Sequence, residues 1–193
     1  MIYFTADPHF SHKNICRGTS QWNQMQSTRP FSTLDEMNSC IIKEINKHVF
    51  PDNELYILGD FAFGNKDEIP KLRYRINCST IHLIMGNHDI HYVKKRPELY
   101  ECFQSVEYYA EIRYRKLLFS LFHYPLGSWN EIGKGGINIF GHCHSKYTRT
   151  VGRQMDVGWD ALHCPISIEE VYRKMIKIEP VLVDGHDEKT NYG

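Results

Sequence analysis

The chain has 193 residues, 41% hydrophobic and 24% charged, with 23 basic and 23 acidic side chains for a formal net charge of zero. That length fits one domain with its own core, and a surface without basic excess is ill suited to gripping long nucleic acid non-specifically. Six scattered cysteines without a Cys-x-x-Cys pair argue against structural zinc and a thioredoxin-like centre, and point to free thiols in a reducing cytoplasm. No stretch reads as a signal peptide or a membrane span, so a cytoplasmic protein with no membrane partner is expected.

Ile2 to Ala6 is a short apolar run of strand type that stops at Asp7-Pro8-His9, where Pro8 signals a loop. From Leu34 to Val49, residues Leu34, Met37, Ile41 and Ile45 recur at helical spacing behind a Thr33 and Glu36 capping pattern. "ELYILGD" (Glu54 to Asp60) and "TIHLIMGNHD" (Thr80 to Asp89) are further apolar runs with polar ends. Between them, "KDEIPKLRYRINC" reads as a helix with Pro70 in its first turn. A helix is expected near His91 to Tyr100, then strands in "SVEYYAEIRY", "KLLFSLFHYP" and "INIFGHCH". Ser167 to Met175 opens with a Ser-x-x-Glu cap and reads as a helix, followed by a strand "IKIEPVLV" and a loose polar tail over 184–193. These elements predict α/β layers around a mixed sheet, in a single domain over 1–183.

Five apolar runs end in residues that can bind a metal: Asp7 and His9, Asp60, Asn87 and His88, His123, then His142 and His144. Loops at the carboxyl ends of strands are where α/β folds assemble their sites, so the five ends are expected to converge. On a continuing strand His142 and His144 would share a face, with Cys143 on the other. Carboxylate, imidazole and amide oxygen together suit manganese, iron, zinc or a pair of such ions.

In order, Asp7-Pro8-His9, Gly59-Asp60, Gly86-Asn87-His88-Asp89, the lone His123 and Gly141-His142-Cys143-His144 resemble the motifs of the calcineurin-like metallophosphoesterases. "MDVGWD" (Met155 to Asp160) also resembles the segment that follows the last motif in small members. The resemblance implies a layered α/β/β/α sandwich of two mixed β-sheets flanked by helices, holding two divalent ions, with manganese first and iron, zinc, nickel or cobalt as alternatives. Asp7, His9 and His144 would bind one ion, Asn87, His123 and His142 the other, and Asp60 both. A hydroxide between the ions would attack phosphorus, and His88 would be the catalytic residue assisting the leaving oxygen. Asp89 is the neighbour that could orient His88.

His12, Asn14, Arg29, Lys146 and Arg149 are candidates for contact with substrate, and Phe10, Trp22, Tyr124 and Trp129 for stacking on a base. The resemblance breaks in "GDFAFG", where Phe63 and Gly64 replace the acid and arginine of the family's protein phosphatases. A small, nucleotide-like phosphomonoester or phosphodiester is therefore the expected substrate. A short single-strand nuclease and a non-catalytic binding module of the same fold are the alternatives.

Overall fold

Residues Ile2–Thr5 (β1), Glu54–Leu58 (β2), Thr80–Ile84 (β3) and Ser105–Glu107 (β4) pair in parallel, and Ile166–Ser167 (β9) runs antiparallel along the free side of β1. This gives a five-stranded sheet in the order β4-β3-β2-β1-β9. A second sheet joins Tyr109–Tyr114 (β5), Leu117–Phe122 (β6), Ile137–Phe140 (β7) and Gln154–Asp156 (β8), antiparallel between β5 and β6 and parallel thereafter. The helices are Leu34–His48 (α1), Glu68–Tyr74 (α2), Asn87–Lys95 (α3), Trp159–Leu162 (α4) and Ile168–Met175 (α5). The computed structural model describes residues 1–63 and 68–182, so Gly64 and the tail over 184–193 lie outside it.

The pleat sorts each apolar run between two cores, because successive side chains point to opposite faces. Leu55 and Ile57 of β2 pack with Met37, Ile41 and Ile45 of α1, whereas Tyr56 and Leu58 face Phe119, Leu121, Ile137 and Ile139 of the second sheet. Burial on both faces explains why β1 to β3 read as continuous apolar runs without alternation. Val171 and Met175 of α5 join the core between the sheets. The expected layered α/β sandwich of two mixed sheets is the observed architecture. Among the described residues, no helix is long and apolar enough to cross a membrane.

Four local expectations are corrected. "SVEYYAEIRY" is two strands, not one: the exposed Tyr108 separates β4 from β5, which belong to different sheets. The helix expected near His91 starts earlier, at Asn87, and ends at Lys95, where Pro97 disfavours helical backbone at Arg96 and a 3-10 turn takes over. "INIFGHCH" is a strand only as far as Phe140. "IKIEPVLV" is not a strand in its described part: the amides of Ile176 and Ile178 bond back to Tyr172 and Met175, and Arg153 Nε donates to the Ile178 carbonyl. Those bonds use the chain's polar groups against α5 and Arg153 instead of a neighbouring strand.

Both helix caps expected from sequence form. The Thr33 hydroxyl accepts from the Glu36 amide at 3.1 Å, and Ser167 and Glu170 close a reciprocal box at α5.

The ligand-bearing runs end on one side because β1, β2 and β3 are parallel, as are β6 and β7. Backbone bonds continue past the strand ends: Asp7 N donates to Gly59 O, His9 N to Asp60 O and Gly141 N to His123 O, each at 3.0 Å. Gly86, between β3 and α3, allows these loops to close. A Cβ there would lie 2.2 Å from Asp60 Oδ1 and 2.6 Å from the Asp60 amide. Gly86→Ala is therefore expected to lose about 1–3 kcal/mol in urea unfolding, the usual penalty for overpacking. An unchanged unfolding midpoint would show that the two loops are free to move apart.

Candidate metal centre

Seven residues named from the sequence meet at the carboxyl ends of five strands. Asp7, His9 and His144 form one group and Asp60, His123 and His142 another, with the ligand atoms of each group all within 4.8 Å of one another, so either could hold a metal ion. Asn87 joins the second through its Oδ1, 3.3 Å from His123 Nε2. Asp60 Oδ2 stands between the groups, 3.6 Å from both His9 Nε2 and His123 Nε2.

His142 and His144 separate for a reason other than strand alternation. The strand has already stopped, and both residues take left-handed backbone, with φ of 67° and 47°. Asp7, His9 and Asp60 do the same at 52°, 50° and 51°. Such conformations cost on the order of 1–3 kcal/mol each for residues other than glycine and persist only where the surroundings enforce them.

The fit to a cation rests on atoms left without partners. Asp7 Oδ1 and both ring nitrogens of His9 are buried with no hydrogen bond, although Asp7 Oδ2 accepts from the His142 amide at 2.7 Å. Unsatisfied buried polar atoms are costly, and a cation would satisfy Asp7 Oδ1 together with a His9 nitrogen. His123 Nδ1 faces the Leu58 carbonyl at 2.8 Å and His144 Nδ1 faces Asp160 at 2.6 Å. In the tautomers these partners select, each Nε2 is left as a lone-pair donor.

Two residues outside the sequence motifs support this set. Asp160 takes the His144 ring and both Nε and Nη2 of Arg29, at 2.9 Å each. Burial pushes the Asp160 carboxyl up, but the hydrogen bonds from His144 and Arg29 outweigh it and hold the group well below the usual range. Asp156 accepts from the amides of Gly158 and Ser145 and so fixes the turn after His144. The "MDVGWD" resemblance was the sequence signal for both, but it gave them no role.

Arg29 is corrected as a substrate contact. Its guanidinium is buried and spent on Asp160 and the carbonyls of Asp7 and Pro8. Asn14 holds the Gln21 amide, and the exposed Arg149 does not line the cleft beside the metal groups. His12 and Lys146 do line that cleft, which has a volume of about 490 Å³. Asp89 does not orient His88: both its oxygens accept backbone N–H groups, from Asp60, Phe61 and Gly86. His88 instead packs against Phe63, ring centroids 4.7 Å apart, with Nε2 3.9 Å from Asp60 Oδ2.

The protonation states set the pH dependence of cation uptake. Burial, then the Asp60 charge, raises the Asp7 carboxyl well above its usual range; burial, then Arg29, lowers His9 well below its own. The raised Asp7 carboxyl holds its proton to higher pH than an ordinary carboxylate and the lowered His9 competes little for one, so a divalent cation taken up here would displace a proton from Asp7 and is expected to bind more weakly as pH falls. Calorimetry of Mn²⁺ binding near pH 6 should give heats that change with the ionisation enthalpy of the buffer; buffer-independent heats would count against this assignment. Asp160→Asn, which releases the His144 ring, should weaken the same binding by roughly 10–100-fold. Unaltered affinity would leave Asp160 a packing role only.

Superposition on the crystal structure of the protein of unknown function AQ665 from Aquifex aeolicus gives a TM-score of 0.66 at 22% identity, over 90% of this chain and 98% of that one. The likeness is one of fold. No family model matches the chain. The uncharacterized protein MJ1445 of Methanocaldococcus jannaschii is 32% identical over 148 residues, which are 76% of this chain and 70% of that protein. Two polypeptides alike to this degree over most of both lengths share ancestry, and the chain belongs to the family of MJ1445.

Proposed function

We propose that the protein is a metal-dependent phosphoric ester hydrolase acting on small, nucleotide-like monoesters or diesters. The observation that carries this reading is a pair of adjoining ligand groups, each able to hold a cation, that meet at one carboxylate, Asp60, with the half-exposed His88 beside it. Asp7, His9 and His144 would hold one divalent ion, Asn87, His123 and His142 the other, and Asp60 both. Manganese suits the mixed oxygen and nitrogen donors, with iron, zinc, nickel or cobalt as alternatives. Two such ions lower the pKa of a bound water and neutralise charge building on a phosphoryl group.

The protein's own groups do the rest. Asp60 is fixed through its Oδ1, which accepts from the His88 amide at 3.0 Å, so the carboxylate cannot swing away when the site fills. His88 is not assigned as a ligand although its Nε2 lies 3.9 Å from Asp60 Oδ2, and 43% of its side chain is exposed. It can place a proton on the oxygen leaving phosphorus. The six described cysteines are all free, in keeping with a cytoplasmic setting.

The test is turnover by manganese-loaded protein across phosphomonoesters, linear diesters and 2′,3′-cyclic nucleotides. His88→Ala is expected to keep its metal and lose on the order of 10²–10⁴-fold in rate, most for poor alkoxide leaving groups and least for activated aryl esters. Equal losses on both would assign His88 to substrate positioning. Cleavage of oligonucleotides alone would move the reading to a short single-strand nuclease, and full metal content without any turnover to a binding module.

A further inference from the structure

The four aromatic residues near the motif loops part company in the fold. Phe10 and Trp129 are core residues, 0% and 7% exposed, and Tyr124 packs on His142 at 4.6 Å between ring centroids. Trp22 is 41% exposed on the outer wall of the cleft that opens from the metal centre. A ring series leads to it. His9 stacks on His12 at 5.3 Å, His12 lies flat on Phe63 at 4.0 Å, and Trp22 meets His12 nearly at right angles at 5.9 Å. Trp22 also lines a second cleft of about 450 Å³.

The segment that displays Trp22 is unusual in composition and is firmly held. From Gly18 to Thr28 there is no charged side chain, but there are three glutamines and an asparagine. Asn14 Oδ1 accepts the Gln21 amide, Ser20 Oγ the Trp22 amide, and Thr28 Oγ1 closes the following turn on the Met25 carbonyl at 2.6 Å. An exposed indole therefore sits on a built loop. Gln26 and Ser27 line the same cleft, and Lys146 Nζ reaches across it to within 3.5 Å of Ser27 Oγ. Uncharged amides beside an indole face match a planar, uncharged ring with donors and acceptors along its edge.

We propose that Trp22 is the stacking platform of a nucleobase subsite and that Gln26 reads the edge of the base, so that the substrate class is a nucleoside phosphate ester. The phosphate lies toward His88 and His144, which line the inner part of the cleft, and the sugar spans the distance between. Base binding stands by itself; that the bound compound is also hydrolysed rests on the phosphoesterase reading.

The experiment has two arms on the full-length chain. In the first, without added metal, adenosine 5′-monophosphate should quench tryptophan fluorescence and ribose 5-phosphate should not, because Trp129 and Trp159 are buried. The base-dependent quenching should vanish in Trp22→Phe, which keeps a stacking ring but no indole. In the second arm, with manganese, wild type should show a lower KM for adenosine 5′-monophosphate than for ribose 5-phosphate. Trp22→Ala should shrink that ratio by roughly 5- to 150-fold, the value of one base stacked on an aromatic ring, and Trp22→Phe should keep most of it. No quenching in wild type, quenching that persists in Trp22→Phe, or a KM ratio unaltered in Trp22→Ala would overturn the subsite. Turnover of neither compound by wild type removes the phosphomonoesterase form of that reading and leaves the diesters to the substrate panel; the fluorescence arm then decides the subsite.

Discussion

The half of the candidate metal site around Asp60 depends on one buried carboxylate outside the ligand set. Asp89 takes the amides of Asp60 at 2.6 Å, Phe61 at 3.0 Å and Gly86 at 2.9 Å, binding the loop after β2 to the first turn of α3. Hydrogen bonds to a charged acceptor are the stronger kind, about 1.5–3 kcal/mol each. Burial, then the charge of Asp60, pushes the Asp89 carboxyl up to about 7, against the pull of the three amides. A divalent cation on Asp60 would offset the second of these pressures. The carboxylates of Asp7 and Asp89 are each raised by burial and then by the charge of Asp60, a balance that a cation among them would ease.

The left-handed residues follow from that arrangement. To bring groups from five strand ends within reach of two small volumes, the chain must reverse within a residue or two of each strand. Asp7, His9, Asp60, His142 and His144 absorb the reversal in their own backbone. What holds them is a lattice of bonds to carbonyls and amides: Arg29 on the Asp7 and Pro8 carbonyls, Asp7 on the His142 amide, Asp160 on both Arg29 and His144. Arg29 and Asp160, 131 residues apart, therefore tie the first motif loop to the last. Strain at the ligands and rigidity behind them are two aspects of one design, since a ligand set held open by its supports has its geometry before any ion arrives.

Beside this rigid floor, the cleft wall is made differently. The centre is built from charged and imidazole groups on loops that continue parallel strands, whereas the wall from Gly18 to Thr28 is uncharged and polar. The two segments differ in chemistry but touch through His12, whose ring meets both Trp22 and His9.

The sequence by itself determined the apolar strands β1, β2, β3, β6 and β7, the helices α1, α2 and α5, and the seven ligand candidates. Runs buried on both faces are continuously apolar and can be read without knowing their partners, and each ends in a residue whose chemistry is visible at once. It did not determine the roles of residues whose meaning depends on a distant partner. Arg29 looks like a phosphate-gripping cation until Asp160 is seen against it, and Asp89 looks like a partner for His88 until its oxygens are found on three amides. The break at Tyr108 was equally hidden, because an edge that leaves one sheet and enters another keeps the same local pattern throughout. Local periodicity records which face of a residue is buried. Which group it meets there is set by contacts between segments far apart in the chain, and only the tertiary structure decides them.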